Sequence, residues 1–387
     1  MSQENNEQPR GRRVVQVCLA YHPETGGSAM AVKQFASVFG GPIINFTDRD
    51  AEPESASVTT IRVNKTFLGR KFSWAGGPEL EDARKILEGA DLIICHTLFR
   101  YHIQWAGGIA FRNQIPFWVV LHGSLDPFVF QVRSLQKEIW MRLAGNAILS
   151  KADAVVCATA REKQKAERRG IPMKSRVVFW STGHAESTRP NGRRTEIREQ
   201  LGIKASDRVL LFLARLHEIK RPFETIKAVQ LAGASNVHLV MVGGNETVTA
   251  DECRKYASGL KMANVHVIGP VFDDRKWDYF AAADGYISLS LKENFGFTVA
   301  EALIAARPVI LSPGIDLITD LAGVNCGWVL PSGNPEVAAR AIQEFAAASP
   351  EELQRAGERG QKWAQANLNF DRFESRLNEL FEQTVAR

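Results

Sequence analysis

Short runs of apolar β-formers alternate with helical stretches along most of the chain. In the first half the runs are RVVQVCLAY (13–21), GPIINF (41–46), VTTIRV (58–63), DLIICH (91–96), IPFWVVLHG (115–123), ADAVVCAT (152–159) and RVVFW (176–180). Several are apolar at consecutive positions, which is the pattern of strands buried on both faces. Helical runs such as SAMAVKQFASVF (28–39) and PELEDARKILEGA (78–90) separate them. This alternation predicts a parallel sheet with helices on both sides. The polar stretch AESTRPNGRRTE (185–196), with Pro190 and Gly192, breaks the rhythm and reads as a linker. The pattern then restarts with DRVLLFLARL (207–216), NVHLVMVGG (236–244), NVHVIGPV (264–271), GYISLSL (285–291) and RPVILS (307–312).

The chain therefore reads as α/β, with two doubly wound Rossmann-like domains facing a central cleft. Ligands of open α/β sheets bind outside the carboxyl ends of the strands. The predicted divisions are a disordered lead-in over 1–12, a first domain over 13–187, a second over 188–369 and a C-terminal helix over 370–387. Phe370, Phe373, Leu377, Leu380 and Phe381 form one stripe of that helix, which is expected to pack across the domain junction.

Composition narrows the class. A length of 387 residues, 45% of them hydrophobic, suffices for two cores. No apolar run approaches the length of a bilayer span, and the polar start MSQENNEQPRGRR lacks the apolar segment of a secretory signal. The five cysteines show no CxxC spacing, and Cys18, Cys95 and Cys157 fall inside predicted strands. That usage points to a reducing compartment, hence the cytoplasm, and away from a metal cluster. The net charge of +5 permits contact with phosphorylated ligands or anionic membranes, but no nucleic-acid-binding pattern accompanies it.

The candidate chemistry lies at predicted strand ends. In KENFGFTVAE (292–301), Glu293 precedes a turn at Gly296, and a helix carrying Glu301 follows. A helix N-terminus suits a phosphate, and glycine lets backbone approach a ligand. Two carboxylates on either side of such a turn suit the hydroxyls of a sugar and a ribose flanking a diphosphate. In ARLHEIKRP (214–222), Arg215 and Lys220 follow a strand and offer two cations. AYHPETGGSAM (20–30) places Gly26 and Gly27 between strand and helix, and VVLHGS (119–124) places His122 at a strand end. Taken singly, each has an ordinary reading: solvated glutamates, a basic loop, a turn, a structural histidine.

Together these pieces resemble a retaining glycosyltransferase of family 4, with the GT-B fold of two Rossmann-like domains. The resemblance runs from Val14 onward. It is carried by E-x7-E at Glu293 and Glu301, by EALIAARPVILS after it, and by RLHEIKRP, DLIICH, VVLHG and YHPETGGS. It implies that Glu293 holds donor-sugar hydroxyls, Glu301 the ribose diol, and Arg215 and Lys220 the diphosphate. Backbone N–H groups around Phe295, Gly296, Phe297 and Thr298 would cradle sugar and phosphate. His122 would contact the transferred sugar, and Gly27 the phosphate or the acceptor. Three departures stand out: WSTGHAE (180–186) replaces the usual N-G-V-D, Arg221 replaces a glycine, and Arg307 stands where glycine commonly precedes the Pro-Val pair.

The resemblance implies transfer from a nucleoside diphosphate sugar, UDP-linked in preference to GDP-linked, to a hydroxyl of a glycan or lipid-linked acceptor in polysaccharide or glycolipid synthesis. No obligatory cofactor or metal is expected, since the DRD triplet (48–50) lies away from the predicted donor site. A glycosidase also uses two carboxylates but needs no basic pair. A nucleotide-sugar epimerase or phosphorylase on the same fold, and a non-catalytic nucleotide-sugar-binding subunit, stay open as alternatives. Two basic-aromatic segments, FLGRKFSW (67–74) and FVFQVRSLQKEIWMRLAGNAIL (128–149), could lie on an anionic membrane at its inner face and meet a lipid-linked acceptor. A core-packed amphipathic helix over 128–149 is the favoured reading.

Overall fold

In the computed structural model the described residues are 12–19, 21, 27–47, 58–63, 78–182, 193–271 and 273–386. They fall into two compact units. The first runs to Ala158 and takes in Glu162–Val178 and the chain from Glu374; the second holds Thr159–Arg161 and Phe179–Phe373. Most of the expected lead-in, most of the linker (including the 187/188 boundary), DRD and FLGRKFSW lie outside the described residues.

The first unit is built on seven parallel strands: β1 Val14–Leu19, β2 Ile43–Thr47, β3 Val58–Arg62, β4 Leu92–His96, β5 Phe117–Val120, β6 Ala154–Cys157 and β7 Ser175–Val177. Their order is β3-β2-β1-β4-β5-β6-β7. The second unit has six: β8 Arg208–Leu213, β9 Val237–Val242, β10 Val265–Gly269, β11 Gly285–Ser288, β12 Val309–Leu311 and β13 Gly327–Val329, in the order β10-β9-β8-β11-β12-β13. Every pairing is parallel. Each sheet thus reverses its strand order once, between β1 and β4 and between β8 and β11. At such a point the connections leave to opposite faces and a crevice opens beyond the strand ends.

The central strands β4, β5, β6 and β11 are buried along their whole length, which accounts for their unbroken apolar sequences. β13 is the one strand with no counterpart in the sequence reading. It is a three-residue edge, GWV, exposed at both ends, so it carries no apolar signature. Gly327 has φ +145°, and a Cβ there would lie 2.1 Å from the Val309 carbonyl oxygen. A residue with a side chain could not pair with β12 at this point.

The C-terminal helix spans Phe370–Val385. Phe373, Leu377, Leu380 and Phe381 are buried as its stripe requires. Within the first unit, Phe381 packs on Phe39 with ring centres 5.8 Å apart, and Trp118 Nε1 donates to Thr384 Oγ1 at 3.1 Å. All five cysteines are free and buried. Among the described residues, no helix is long and apolar enough to cross a membrane.

Candidate functional site

In the second unit, the chain leaving β8 is held close to the end of β9 by a glycine. A Cβ on Gly243 would sit 1.8 Å from the Ala214 carbonyl oxygen, so only glycine admits this approach. Arg215 follows, exposed, with its Nη1 2.6 Å from Glu246 Oε1. The short turn Glu218–Lys220 then delivers Lys220, whose ammonium is ion-paired with the Glu293 carboxylate. Burial, then the Arg215 charge nearby, pulls the Lys220 pKa from 10.5 to about 8, against the Glu246 carboxylate, which works in the opposite sense. The Lys220–Glu293 pair joins the loop after β8 to the loop after β11, the two strands that flank the order reversal.

Glu293 is fixed through its backbone. Its N–H donates to Gly314 O at 2.9 Å and its carbonyl accepts from Asp316 N–H at 2.8 Å. Gly314 permits this, since a Cβ there would lie 2.2 Å from Ser290 O. Three residues on, Gly296 caps the helix Phe297–Ile304 at φ +78°, and a Cβ would meet both Glu293 Cγ and Val299 Cγ2 at 3.1 Å. No side chain caps this helix and its first turn holds no acid. The first helical bond is Ala300 N–H to Gly296 O, 3.0 Å. The N–H groups of Phe297, Thr298 and Val299 therefore have no intrahelical acceptor and suit an anion. Phe295 is buried, and Thr298 Oγ1 is 2.8 Å from the buried Tyr286 hydroxyl.

Glu301 sits one turn into that helix, 6% exposed, with Oε1 2.5 Å from Lys276 Nζ. Burial raises its pKa and Lys276 opposes the rise. The Asn294 side-chain oxygen, between Glu293 and Phe295, is buried with no protein partner.

In the first unit, His122 lies two residues beyond β5, rather than at the end of a longer strand. It has φ +49° and Gly123 follows at +71°. Thr97 (+70°) and Phe99 (+65°), just after β4, are also left-handed. Such backbone is costly for side-chain-bearing residues and gathers at functional sites. The turn is tied down by Glu162, whose carboxylate accepts from the N–H groups of Gly123 and Ala158, both at 2.5 Å. His122 Nε2 is 2.9 Å from His96 Nδ1, and His96 Nε2 contacts the Gln16 amide. His102 donates from Nε2 to His96 O at 2.8 Å, and its Nδ1 has no partner. Burial lowers the pKa of His102 and His122 to about 4, and that of His96 well below its usual value. Gly27 is the exposed first residue of the helix Gly27–Phe39; the Gly26 side of that turn lies outside the described residues.

The structure thus brings Arg215, Lys220, Glu293, Phe295, Gly296, Phe297, Thr298 and Glu301 to the ends of β8 and β11, while His122 and Gly27 stand in the first unit. Several participants escape the sequence reading: Glu246, Lys276, Asn294, Gly314 and, in the first unit, Gln16 and His96. The histidines ending DLIICH and following WVVL offered a signal, as did the Gly-Gly closing NVHLVMVGG.

Two readings need correction. The position that wants glycine before the Pro-Val pair is Ala306, at φ +54°, not Arg307. Arg307 is a structural arginine. It donates to Ala305 O (2.9 Å) and Ala283 O (2.8 Å), beside Arg194, Arg198 and Asp284, where cations meet a helix C-terminus. Arg221 does occupy a left-handed position, φ +57°, and its guanidinium donates to the Gly333 carbonyl. The second correction concerns 128–149. Phe130, Met141, Ile148 and Leu149 are buried in the core of the first unit and Trp140 packs against Phe99, but not all of its apolar row turns inward. Val132 (63%), Leu135 (73%), Ile139 (47%) and Leu143 (80%) stay exposed, so this stripe is not core.

Comparison with known proteins bears on the family and the fold. Residues 41–184 match the family model described as Glycosyltransferase Family 4, and residues 193–363 that described as Glycosyl transferases group 1. The chain is 25% identical over 315 residues to an alpha-monoglucosyldiacylglycerol synthase of Streptococcus pneumoniae, covering 75% of this chain and 68% of the relative. It is 26% identical over 210 residues to a D-inositol 3-phosphate glycosyltransferase of Streptomyces avermitilis, covering 51% of this chain and 45% of that protein, so it spans less than half of that relative. Among solved structures, Anabaena Alr3699/HepE in complex with UDP superposes with a TM-score of 0.76 at 17% identity, over 96% of this chain and 100% of that one. A likeness at that identity speaks to the fold, which is GT-B.

Proposed function

Because this chain belongs to glycosyltransferase family 4, we propose that it transfers a sugar from a nucleoside diphosphate sugar, UDP-linked in preference, to a hydroxyl of a lipid-borne or glycan acceptor, with retention of configuration. The observation that carries this reading is the Lys220–Glu293 pair beside the uncapped, glycine-led start of Phe297–Ile304. It sets a cation and a set of N–H donors where a departing diphosphate needs them, and a carboxylate where sugar hydroxyls need it.

In this reading the C1–oxygen bond to the diphosphate breaks while the acceptor oxygen bonds to C1 on the same face. The acceptor proton passes to the leaving phosphate oxygen. Lys220, Arg215 and the helix N–H groups stabilise the charge that develops on the diphosphate, so no metal is required. Glu301 holds the ribose diol, Glu293 the hydroxyls of the transferred sugar, and His122 a further sugar oxygen. Support for UDP comes from the Anabaena neighbour, whose complex holds UDP. Support for a lipid-borne acceptor comes from the pneumococcal relative's name and from the exposed stripe Val132, Leu135, Ile139 and Leu143 with Arg133 and Arg142 beside it. Such a stripe suits the surface of an anionic bilayer at the inner face of the membrane.

The test is a panel of UDP- and GDP-sugars with anionic vesicles carrying glycolipid acceptors, reading nucleotide release and the anomeric configuration of the product. Release of UDP with an α-linked product from an α-linked donor is expected. Binding without turnover on every donor and acceptor would leave a sugar-nucleotide-binding subunit instead.

A further inference from the structure

Gln16 and His96, the two polar groups behind His122, form with it a chain whose hydrogens can be assigned from one end. Gln16 lies in β1, fully buried, and its amide rests against the helix Gly27–Phe39. With its nitrogen toward Val32 O (3.2 Å) and its oxygen toward Ala36 N–H (3.1 Å), the amide satisfies both backbone groups. The opposite placement would set oxygen against a carbonyl oxygen and NH2 against an N–H. A backbone carbonyl can only accept and a backbone N–H can only donate, so the helix decides which end of the amide is which.

The rest follows by elimination. The second hydrogen of the Gln16 NH2 points at His96 Nε2, 3.0 Å away, so that nitrogen must be a bare acceptor. A neutral imidazole carries its hydrogen on the other nitrogen. His96 Nδ1–H therefore donates to His122 Nε2 at 2.9 Å. His122 Nε2 is then the acceptor, and the hydrogen of that ring sits on Nδ1. Both rings are neutral near pH 7, because burial holds their pKa values far below that. The edge-on contact of Phe35 with His96, ring centres 5.4 Å apart, and the tilted stack of His96 on His122, 5.2 Å apart, restrict ring rotation.

We infer that Gln16 and His96 are positioning residues that lock His122 as its Nδ1–H tautomer, so that it serves its ligand as a hydrogen-bond donor and not as a base. The oxygen that His122 meets at Nδ1 must then be an acceptor. The inference rests on the proposed function only for the identity of that oxygen, on the transferred sugar. The tautomer itself is a property of the free protein.

The experiment is long-range 1H–15N correlation spectroscopy of the histidine side chains in the full chain, with His122→Gln used for assignment. Nδ1–H and unprotonated Nε2 are expected for both His96 and His122 in the ligand-free protein. In Gln16→Glu a carboxylate replaces the amide donor. His96 must then carry a hydrogen on Nε2, and either His122 inverts to Nε2–H or the pair takes up a proton. Turnover of Gln16→Glu should fall about ten-fold or more, with donor KM within about two-fold. Gln16→Met, which removes the amide without demanding the opposite tautomer, should fall less. His122 found as Nε2–H in the wild-type protein overturns the inference. An unchanged His122 signature or unchanged kcat in folded Gln16→Glu, at a pH where the 13C shift of the new carboxyl shows it ionised, does so too. If the wild-type tautomer is Nδ1–H but no nucleotide sugar is turned over, the functional reading fails and the tautomer assignment stands.

Discussion

The two units share one strand order yet furnish its reversal point with opposite chemistry. Beyond β8 and β11 the side chains are charged and paired: Lys220 with Glu293, Arg215 with Glu246. Beyond β4 and β5, beside the reversal at β1 and β4, lie neutral rings, the buried His96 on the half-buried His122 and the buried His102 against His96 O. The topology explains why both places are open to a ligand but not what they take. That is set by a few loop residues. Charged pairs suit a polyanion whose charge grows during reaction, while fixed neutral donors suit hydroxyl oxygens.

The largest break in this comparison should come from Lys220→Met. Losing the cation strands Glu293 beside the diphosphate, and kcat should fall by about 10²–10³-fold with UDP-sugar donors. His122→Gln, on the neutral side, should cost roughly ten-fold, because one neutral hydrogen bond is lost. Equal losses, measured side by side in a transfer assay, would erase the distinction.

Within the charged unit, the two carboxylates can be separated by calorimetry with free UDP. Glu301→Gln should weaken UDP by about 1.5–3 kcal/mol, since UDP carries the ribose. Glu293→Gln should leave UDP affinity nearly intact and weaken the full donor. The reverse pattern would mean that the donor lies the other way round.

The pH dependence should be confined to the charged unit as well. The Lys220 pKa is lowered to about 8, below its ordinary 10.5. Between these values the unfolded chain holds the proton and the folded one does not, so this group makes stability rise with pH over that window. Diphosphate binding needs the ammonium, so UDP affinity should hold between about pH 7 and 8, where the terminal phosphate (second pKa about 6) is already largely ionised, and decline above pH 8. In Lys220→Arg the decline should vanish. A decline that persists in this variant would assign it to another group. The smallest effect should come from Ala306→Gly, just past the end of the helix Phe297–Ile304. Glycine relieves the φ of +54° but adds freedom to the unfolded chain, for a net gain of about 0.5–1 kcal/mol in urea unfolding.

How legible each set was follows from how it is built. Inner strands such as β4, β5, β6 and β11 announce themselves because burial on both faces demands unbroken apolar runs, whereas β13, an exposed edge of three residues, does not. Glu293, Gly296 and Glu301 were readable because they lie within nine residues of one another around a single turn. Their partners were not, because nothing local ties Lys276 to Glu301 or Glu246 to Arg215; the sheet order makes those contacts. Gln16 is the extreme case. Set in an apolar strand as VVQVCL, it passes for a tolerated polar residue until the fold lays β1 beside β4 and beneath a helix. The stripe over 128–149 misled for the converse reason. An apolar periodicity shows that a helix has two faces, not that the apolar face is covered.

The five buried thiols give each unit its own clock. Cys18, Cys95 and Cys157 lie in the first unit, Cys253 and Cys326 in the second. Burial raises the pKa of Cys95 and Cys157 well above normal and that of Cys253 and Cys326 to about 11. Thiolates react and thiols do not, so an alkylating reagent finds no target until the surrounding structure opens. Alkylation rates followed by peptide mass would time the opening of the two units separately, in one sample and without introducing a label. Because a bound ligand slows the opening of whatever it holds, the same clocks would reveal which unit a nucleotide grips.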